Sequence, residues 1–88
     1  MSEVKIEQPS QERLKELNIE NWSSWECEPS VFDWEYTDNE IFYVYEGKVK
    51  VKIGDKEITF GKGDLVTFPE GCKCQWHVIE KIKKVYTF

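Results

Sequence analysis

The sequence predicts an all-β domain, an antiparallel sandwich or barrel with one short helix near its N-terminus. From Trp22 onward, polar and apolar residues alternate with a period of two. Turn residues such as Asp38-Asn39, Gly54-Asp55 and Pro69-Glu70-Gly71 recur along the same stretch. Short strands that follow one another without intervening helices are typical of antiparallel folds. The 88 residues suffice for one such domain and leave no room for a second.

The N-terminal segment, residues 1–21, is predicted to form a strand and a short helix that pack on a barrel of residues 22–88. Val4 to Glu7 alternates weakly between polar and apolar residues, which favours a strand. Ser10 is suited to cap a helix that buries Leu14. We predict short strands in the remainder, near residues 22–28, 31–37, 40–46, 48–53, 56–60, 64–68, 73–79 and 82–88.

Composition and charge exclude several classes of function. The net charge of −5 disfavours binding to nucleic acid, because a polyphosphate is repelled by an acidic protein. The apolar runs are far shorter than the ~20 residues that a membrane-spanning helix needs. The N-terminus has no secretory signal pattern, so we expect a cytoplasmic protein whose three cysteines are free thiols. The abundance of Lys and Glu is typical of a thermophilic source.

Two neighbouring segments carry the clearest strand patterns. Lys48 to Phe60 predicts a half-buried hairpin, with Val49 and Val51 on one face, lysines on the other and a two-residue turn at Gly54-Asp55. The strand before it, residues 40–46, is apolar on both faces, so its second face must meet a helix, another segment or a partner subunit. We predict a possible homodimer interface on that second face, formed by Ile41, Tyr43 and Tyr45.

Two motifs resemble those of a known family. The stretch Trp34-x-Tyr36-x-x-x-Glu40-x-x-x-x-x-x-Gly47 has the spacing of the first cupin motif, in which two histidines, a glutamate and a glycine occupy these positions. The stretch Gly63-x-x-x-x-x-Pro69-x-Gly71-x-x-Cys74 has the spacing of the second motif, in which a third histidine stands at position 74. The sequence therefore resembles a small single-domain cupin, which implies an antiparallel jelly-roll β-barrel. Further short segments resemble those of the family of the (S)-ureidoglycine aminohydrolase cupin domain. They are Trp25-Glu26-Cys27, Phe32-x-Trp34-x-Tyr36, Tyr43-Val44-x-Glu46-Gly47 and Phe60-Gly61-x-Gly63-Asp64.

The resemblance implies a metal site at positions where this chain has lost the histidines. In metal-bearing cupins, three imidazoles and a carboxylate hold a divalent ion, whereas this chain has Trp34, Tyr36, Glu40 and Cys74 there. Tryptophan is not a metal ligand, so we predict no resident cofactor. A divalent metal (zinc, manganese, iron or nickel) held by Glu40, Cys74 and Cys27 is the open alternative. The sole histidine, His77, has the opposite strand parity to Cys74 and is expected on the outside.

Glu40 is the best candidate for a functional side chain. An inward carboxylate among apolar residues is costly unless it is paired, hydrogen-bonded or neutral. Aromatic rings around one acidic group suit a small polar or cationic ligand. We therefore predict a ligand pocket formed by Trp34, Tyr36, Glu40, Phe42, Cys74 and Trp76. In the alternative interpretation, the rings fill the barrel and Glu40 hydrogen-bonds to Tyr36.

Three functions remain open from the sequence. The first is a small-molecule-binding cupin with this aromatic pocket, whose ligand would be its main partner. The second, implied by the resemblance, is a metal-dependent hydrolase that activates water with a bound ion. The third is a dimeric accessory module with a filled barrel.

Overall fold

The sheet of this protein is entirely antiparallel. The structure is a computed structural model that describes residues 4–88, so residues 1–3 of the predicted N-terminal segment lie outside it. Within residues 4–88, no helix has the length and apolar character needed to cross a membrane. The elements, in chain order, are β1 (Lys5–Glu7), α1 (Gln11–Leu17), a 3-10 turn (Ile19–Asn21), β2 (Ser23–Cys27), β3 (Ser30–Glu35), β4 (Glu40–Ile53), β5 (Lys56–Gly61), β6 (Leu65–Phe68) and β7 (Lys73–Thr87).

Two long strands, β4 and β7, organise the sheet. The first half of β4 pairs with the second half of β7, from Ile41 opposite Thr87 to Val44 opposite Lys84. The second half of β4 then pairs with the first half of β7. The strand order is β1-β6-β4-β7-β2, with β3 added to β7 and β5 added to β4. This all-β antiparallel arrangement with one helix confirms the predicted fold class and is consistent with a jelly-roll cupin barrel.

The predicted breaks within β4 and β7 were wrong. Residues 40–46 and 48–53 form one continuous strand, and so do residues 73–79 and 82–87. Gly47, the residue between the two predicted strands 40–46 and 48–53, lies in a bulge where the register between β4 and β7 shifts. Its φ is +104°, and a Cβ at this position would lie 2.7 Å from the Cα of Ile82. Glycine is therefore required for close strand contact rather than for a chain reversal.

Several local predictions are confirmed. The Ser10 hydroxyl accepts a hydrogen bond of 3.2 Å from the backbone N–H of Arg13, so Ser10 caps α1. The predicted hairpin joins β4 and β5 through the two-residue turn at Gly54-Asp55, and Gly54 supplies a positive φ of 59°. Val49 and Val51 of this hairpin are fully buried, as the alternation predicts.

The core is dominated by aromatic rings. Phe42, Phe60 and Phe68 are essentially inaccessible to solvent. The Trp76 ring contacts all three, with centroid separations of 5.9, 5.5 and 6.2 Å. These rings, with the valines around them, fill one region of the barrel interior. Trp76 forms the boundary of that region, because its other neighbours are Trp25 and Phe32 on the adjacent strands.

Candidate functional site

A buried ion pair joins the two long strands. Lys84 Nζ on β7 donates a hydrogen bond of 2.8 Å to Glu40 Oε2 at the start of β4. The side chains are only 7% and 8% exposed. They are the two buried charged residues of the described chain. Glu40 thus has a partner, as its inward position requires, but the partner is Lys84 rather than Tyr36, the partner in the alternative interpretation.

Aromatic rings surround the ammonium group of Lys84. Its Nζ lies 3.9 Å from the centroid of the Phe42 ring. It is 5.1 Å from the ring centroids of both Trp25 and Trp76, and 5.5 Å from that of Tyr86. These distances lie within the range of about 6 Å for cation–π attraction. The ammonium is therefore held by one carboxylate and by the negative faces of several rings.

The same burial perturbs the titration of the groups at this site. Burial lowers the pKa of Lys84, because desolvation disfavours the ammonium, and the nearby negative charge of Glu40 only partly opposes this effect. Burial also raises the pKa of the Tyr36 phenol, with a further contribution from the charge of Glu40. At neutral pH the phenol is therefore protonated and able to donate a hydrogen bond.

A cavity of about 280 Å³ opens beside this pair. Tyr36, Glu40, Trp76 and Lys84 lie on its wall. The remaining lining residues come from β2, β3 and the C-terminus: Trp25, Phe32, Trp34, Tyr86 and Phe88. Because Trp34 is 52% exposed and Phe88 is 72% exposed, we place the mouth of the cavity between these two side chains. The wall is mainly aromatic, with the ion pair and a few polar atoms as its hydrogen-bonding groups.

One buried polar atom belongs to Trp76, a residue of the cavity wall. Trp76 Nε1 is inaccessible to solvent and makes no hydrogen bond of acceptable geometry within the described part of the chain, although the Tyr36 oxygen and the Cys74 sulfur lie near the indole N–H. Burying a donor without a hydrogen bond costs about 1–3 kcal/mol. Most buried donors in folded proteins do have a partner, so this indole N–H is an exception.

The structure brings together some of the predicted pocket residues and separates others. Trp34, Tyr36, Glu40 and Trp76 line the cavity, whereas Phe42 and Cys74 do not. Phe42 lies beneath Lys84 as part of the core. The Cys74 thiol donates a long hydrogen bond of 3.6 Å to the backbone carbonyl of Trp34. Burial raises its pKa to about 12, so it is a protonated thiol at neutral pH.

Sequence reasoning missed five residues of this site: Trp25, Phe32, Lys84, Tyr86 and Phe88. For Lys84, the signal was available, because it has the same strand parity as the inward-pointing Trp76. The break predicted near residues 80–81 interrupted the alternation before it reached position 84. In the structure the strand continues, and Val78, Ile82 and Lys84 are all buried.

The residues present do not fit a divalent metal. Across residues 4–88, no three His, Cys, Asp or Glu side chains converge as a metal site. The donors considered from the sequence are therefore not assembled. Glu40 is bonded to an ammonium group, and the Cys27 thiol contacts the backbone carbonyl of Glu28 and the hydroxyl of Ser30. A cation on Glu40 would have to displace Lys84.

Two other predicted surfaces lie outside the cavity. His77 is exposed and pairs with Lys50 across the sheet, so its predicted outward orientation is confirmed. Ile41 and Tyr43 are half-buried and Tyr45 is 42% exposed. The two tyrosines border a surface groove together with residues 11–20 of the helical segment. A neighbouring helix thus meets part of this face, and the homodimer stays a prediction.

Comparison with known proteins assigns the fold to a family. A family model described as the EutQ-like cupin domain matches residues 14–86. A similar solved structure is a DUF861 family protein from Thermotoga maritima, with a TM-score of 0.96 and 53% identity over 98% of this chain and 99% of that chain. Thermophilic origin of this chain itself stays a prediction.

Two further relatives are longer proteins. An acetate kinase EutQ from Clostridioides difficile is 30% identical over 61 residues, which are 69% of this chain and 39% of that protein. A solved Clostridium difficile EutQ structure is 28% identical, with a TM-score of 0.66 over 72% of this chain and 50% of the other. This chain thus spans half or less of these two relatives. The narrower resemblance to (S)-ureidoglycine aminohydrolase stays a prediction, because these relatives carry other names. The chain belongs to the EutQ-like cupin domain family.

Proposed function

We propose that this protein binds a small polar molecule in the aromatic cavity, through a carbonyl, carboxylate or hydroxyl oxygen of that molecule. The observation that supports this most directly is the aromatic cavity of about 280 Å³ that has the Lys84–Glu40 pair and Tyr36 in its wall. After a small movement of the Trp76 ring, an oxygen of the ligand can also accept a hydrogen bond from Nε1, which removes the penalty of a buried donor without a partner. The neighbouring Lys84 ammonium and Tyr36 phenol provide further donors to the same oxygen or to a second one.

The charge distribution supports a polar ligand over a cationic one. Lys84 already holds the position over the Phe42 ring where the ammonium of a ligand would bind, 3.9 Å from the centroid. It is also paired with Glu40, the carboxylate that would attract such a cation. A second cation would be repelled by Lys84 at short range. A hydrogen-bond acceptor, by contrast, finds donors in the Lys84 ammonium and the Tyr36 phenol.

Size further restricts the ligand. The cavity volume of about 280 Å³ lies just below the range typical of small-molecule sites, roughly 300–1,000 Å³. A metabolite of a few carbon atoms fits this space. Its apolar part would pack against Trp25 and Phe32, and its polar end would reach Trp76 and Lys84.

The experiment is an NMR titration of the indole N–H resonances with propionamide, propionate, pyruvate and glycolaldehyde as probes. Trp76→Phe, which removes the N–H and keeps an aromatic ring, assigns the critical resonance. Trp22 lies outside the cavity and serves as an internal control. We expect at least one probe to shift the Trp76 resonance and to leave that of Trp22 unchanged.

The variants then test the hydrogen bond by calorimetry. Trp76→Phe should weaken binding of that probe about tenfold, since one hydrogen bond contributes roughly 1–1.5 kcal/mol. Trp22→Phe is the matched control and should leave the affinity unchanged. If no probe shifts the Trp76 resonance, or if both variants bind equally well, the proposal is wrong.

A further inference from the structure

The ammonium group of Lys84 has an unusual environment for a lysine. It lies in the cavity wall, and its single hydrogen bond to a protein oxygen within residues 4–88 goes to Glu40. A lysine ammonium has three N–H donors, so two of them face aromatic rings or the cavity. By contrast, Lys81 and Lys83 of the same strand have side chains 47% and 45% exposed.

This environment is chemically suited to a nucleophilic amine. A lysine acts as a nucleophile only after it loses a proton, and desolvation favours that loss. Burial lowers the pKa of Lys84 in this way. The Glu40 carboxylate lies 2.8 Å from Nζ, close enough to accept the proton directly.

We propose that Lys84 forms a Schiff base with a small aldehyde or ketone that enters the aromatic cavity. This inference rests on the proposed function, since it requires the cavity to admit a small carbonyl compound. The carbonyl oxygen is itself a hydrogen-bond acceptor of the kind that the orphaned Trp76 Nε1 can meet. The substrate class is therefore a carbonyl compound with a short apolar part.

The covalent step balances without a further reactant. Glu40 takes a proton from the Lys84 ammonium, and the free Nζ attacks the carbonyl carbon to form a C–N bond. Glu40 gives this proton to the carbonyl oxygen, which becomes the hydroxyl of a carbinolamine, and then takes a second proton from Nζ. Glu40 returns a proton to this hydroxyl, the C–O bond breaks and water leaves. One ammonium and one carbonyl group thus give one protonated imine and one water.

Each neighbouring group has a definite role in this step. Glu40 moves the proton between the nitrogen and the departing oxygen. Trp76 Nε1 and the protonated Tyr36 phenol can orient the carbonyl through hydrogen bonds. The rings of Trp25 and Tyr86, 5.1 and 5.5 Å from Nζ, exclude water from the amine and stabilise the positive charge of the imine.

The test is reductive trapping of the intact protein with propanal and sodium cyanoborohydride at neutral pH. Peptide mapping by mass spectrometry then gives the rate of propyl addition at each lysine, separately from the α-amino group. We expect Lys84 to react severalfold faster than Lys83, because burial lowers the pKa of Lys84 and leaves more of its amine free at neutral pH, and because its Nζ lies beside the cavity. Lys83→Arg, the matched control, should leave labelling at position 84 unchanged.

Two further variants examine the roles of the pair. Lys84→Arg keeps the positive charge beside Glu40 and should abolish the fast labelling. Glu40→Gln removes the charge that raises the pKa of Lys84 and so leaves more of the amine free, but it also removes the proton acceptor; slower labelling at Lys84, which we expect, therefore reports the lost acceptor. If these variants do not fold, the comparison of labelling rates at Lys84 and Lys83 in the unmodified protein still tests the proposal.

The outcomes separate this inference from the proposed function. Propionamide has the shape of a carbonyl ligand but does not form an imine with an amine. If propionamide shifts the Trp76 resonance while Lys84 is labelled no faster than Lys83, the Schiff base is wrong and binding stands. If propionamide does not bind and Lys84 is not labelled, both proposals are wrong.

Discussion

The two faces of strand β7 use lysine in opposite ways. On the outer face, Lys81 and Lys83 form ion pairs of 3.3–3.9 Å with the carboxylates of Glu26, Glu28 and Glu46, and all of these side chains are about half exposed or more. On the inner face, one residue further along, Lys84 forms a buried pair of 2.8 Å. The strand pleat alone separates the two environments, because successive side chains point to opposite faces.

This difference shows that the role of a charged residue depends on its solvation. Water screens the outer pairs, and exposed ion pairs contribute about 0–1 kcal/mol each. The inner pair has lost its water, so removing either partner leaves an uncompensated charge in an apolar region. The outer face therefore serves mainly solubility, while the inner face can position and activate a group.

The largest loss of stability is expected when one partner of the buried Glu40–Lys84 pair is removed. Lys84→Met leaves Glu40 buried without a partner, and should lower the free energy of unfolding by about 3–5 kcal/mol. The double variant Lys84→Met/Glu40→Leu removes both charges and should recover most of this loss. Denaturant unfolding at pH 7 measures both values. A single variant as stable as the parent would show that the pair is solvated in solution.

The same substitution on the outer face sharpens the comparison. Lys83→Met removes the contacts with Glu26 and Glu46 and should change the free energy of unfolding by at most about 1 kcal/mol. This small effect should disappear at 1 M salt, where screening is nearly complete, whereas the effect of Lys84→Met should persist. If Lys83→Met lowered the free energy of unfolding more than Lys84→Met does, the assignment of Lys83 to the outer face and Lys84 to the inner face would be wrong.

The smallest expected effect is a difference between the pKa values of Lys81 and Lys84. Lys81 and Lys84 share the ordinary pKa of 10.5, and the structure shifts them in opposite directions. The hydrogen bond and charge of Glu28, with the charge of Glu26, raise the pKa of Lys81, while burial lowers that of Lys84. NMR titration of the lysine side chains should show that Lys84 loses its proton first.

The stability consequences have opposite signs. Between the lowered pKa of Lys84 and 10.5, the unfolded chain holds a proton that the folded chain has released, so the contribution of Lys84 to stability rises with pH. The contribution of Lys81 is present below 10.5 and is lost as the pH rises through its raised pKa. Lys84→Met should abolish this rise of stability with pH. If Lys81 and Lys84 lose their protons at the same pH, the assignment of opposite pKa shifts to the two lysines is wrong.

Local sequence patterns predicted most of the fold. The alternation in the hairpin from Lys48 to Phe60 and the cap at Ser10 were both found as expected, because these patterns depend on near neighbours. The continuity of β4 and β7 was not predictable in the same way. Gly47 is a typical turn residue, and its role in a bulge follows from the close approach of Ile82, 35 positions later in the chain.

The candidate site was predicted in part. Strand parity placed Glu40, Tyr36 and Trp76 on the inside, and these residues do line the cavity. The partner of Glu40 was missed because lysine is normally an exposed residue, and because the strand was assumed to end before position 84. Cys74 was expected in the pocket but lies against the backbone of Trp34 instead.

The sequence by itself determined the fold class, the inward carboxylate at Glu40 and the loss of the metal-binding histidines from the two cupin motifs, since these follow from residue types and their spacing. Only the tertiary structure decided that a lysine 44 positions away bonds to that carboxylate, and that a cavity remains beside the filled core. The physical reason is that local periodicity fixes which face a side chain occupies, whereas strand pairing between distant segments fixes which side chains it meets.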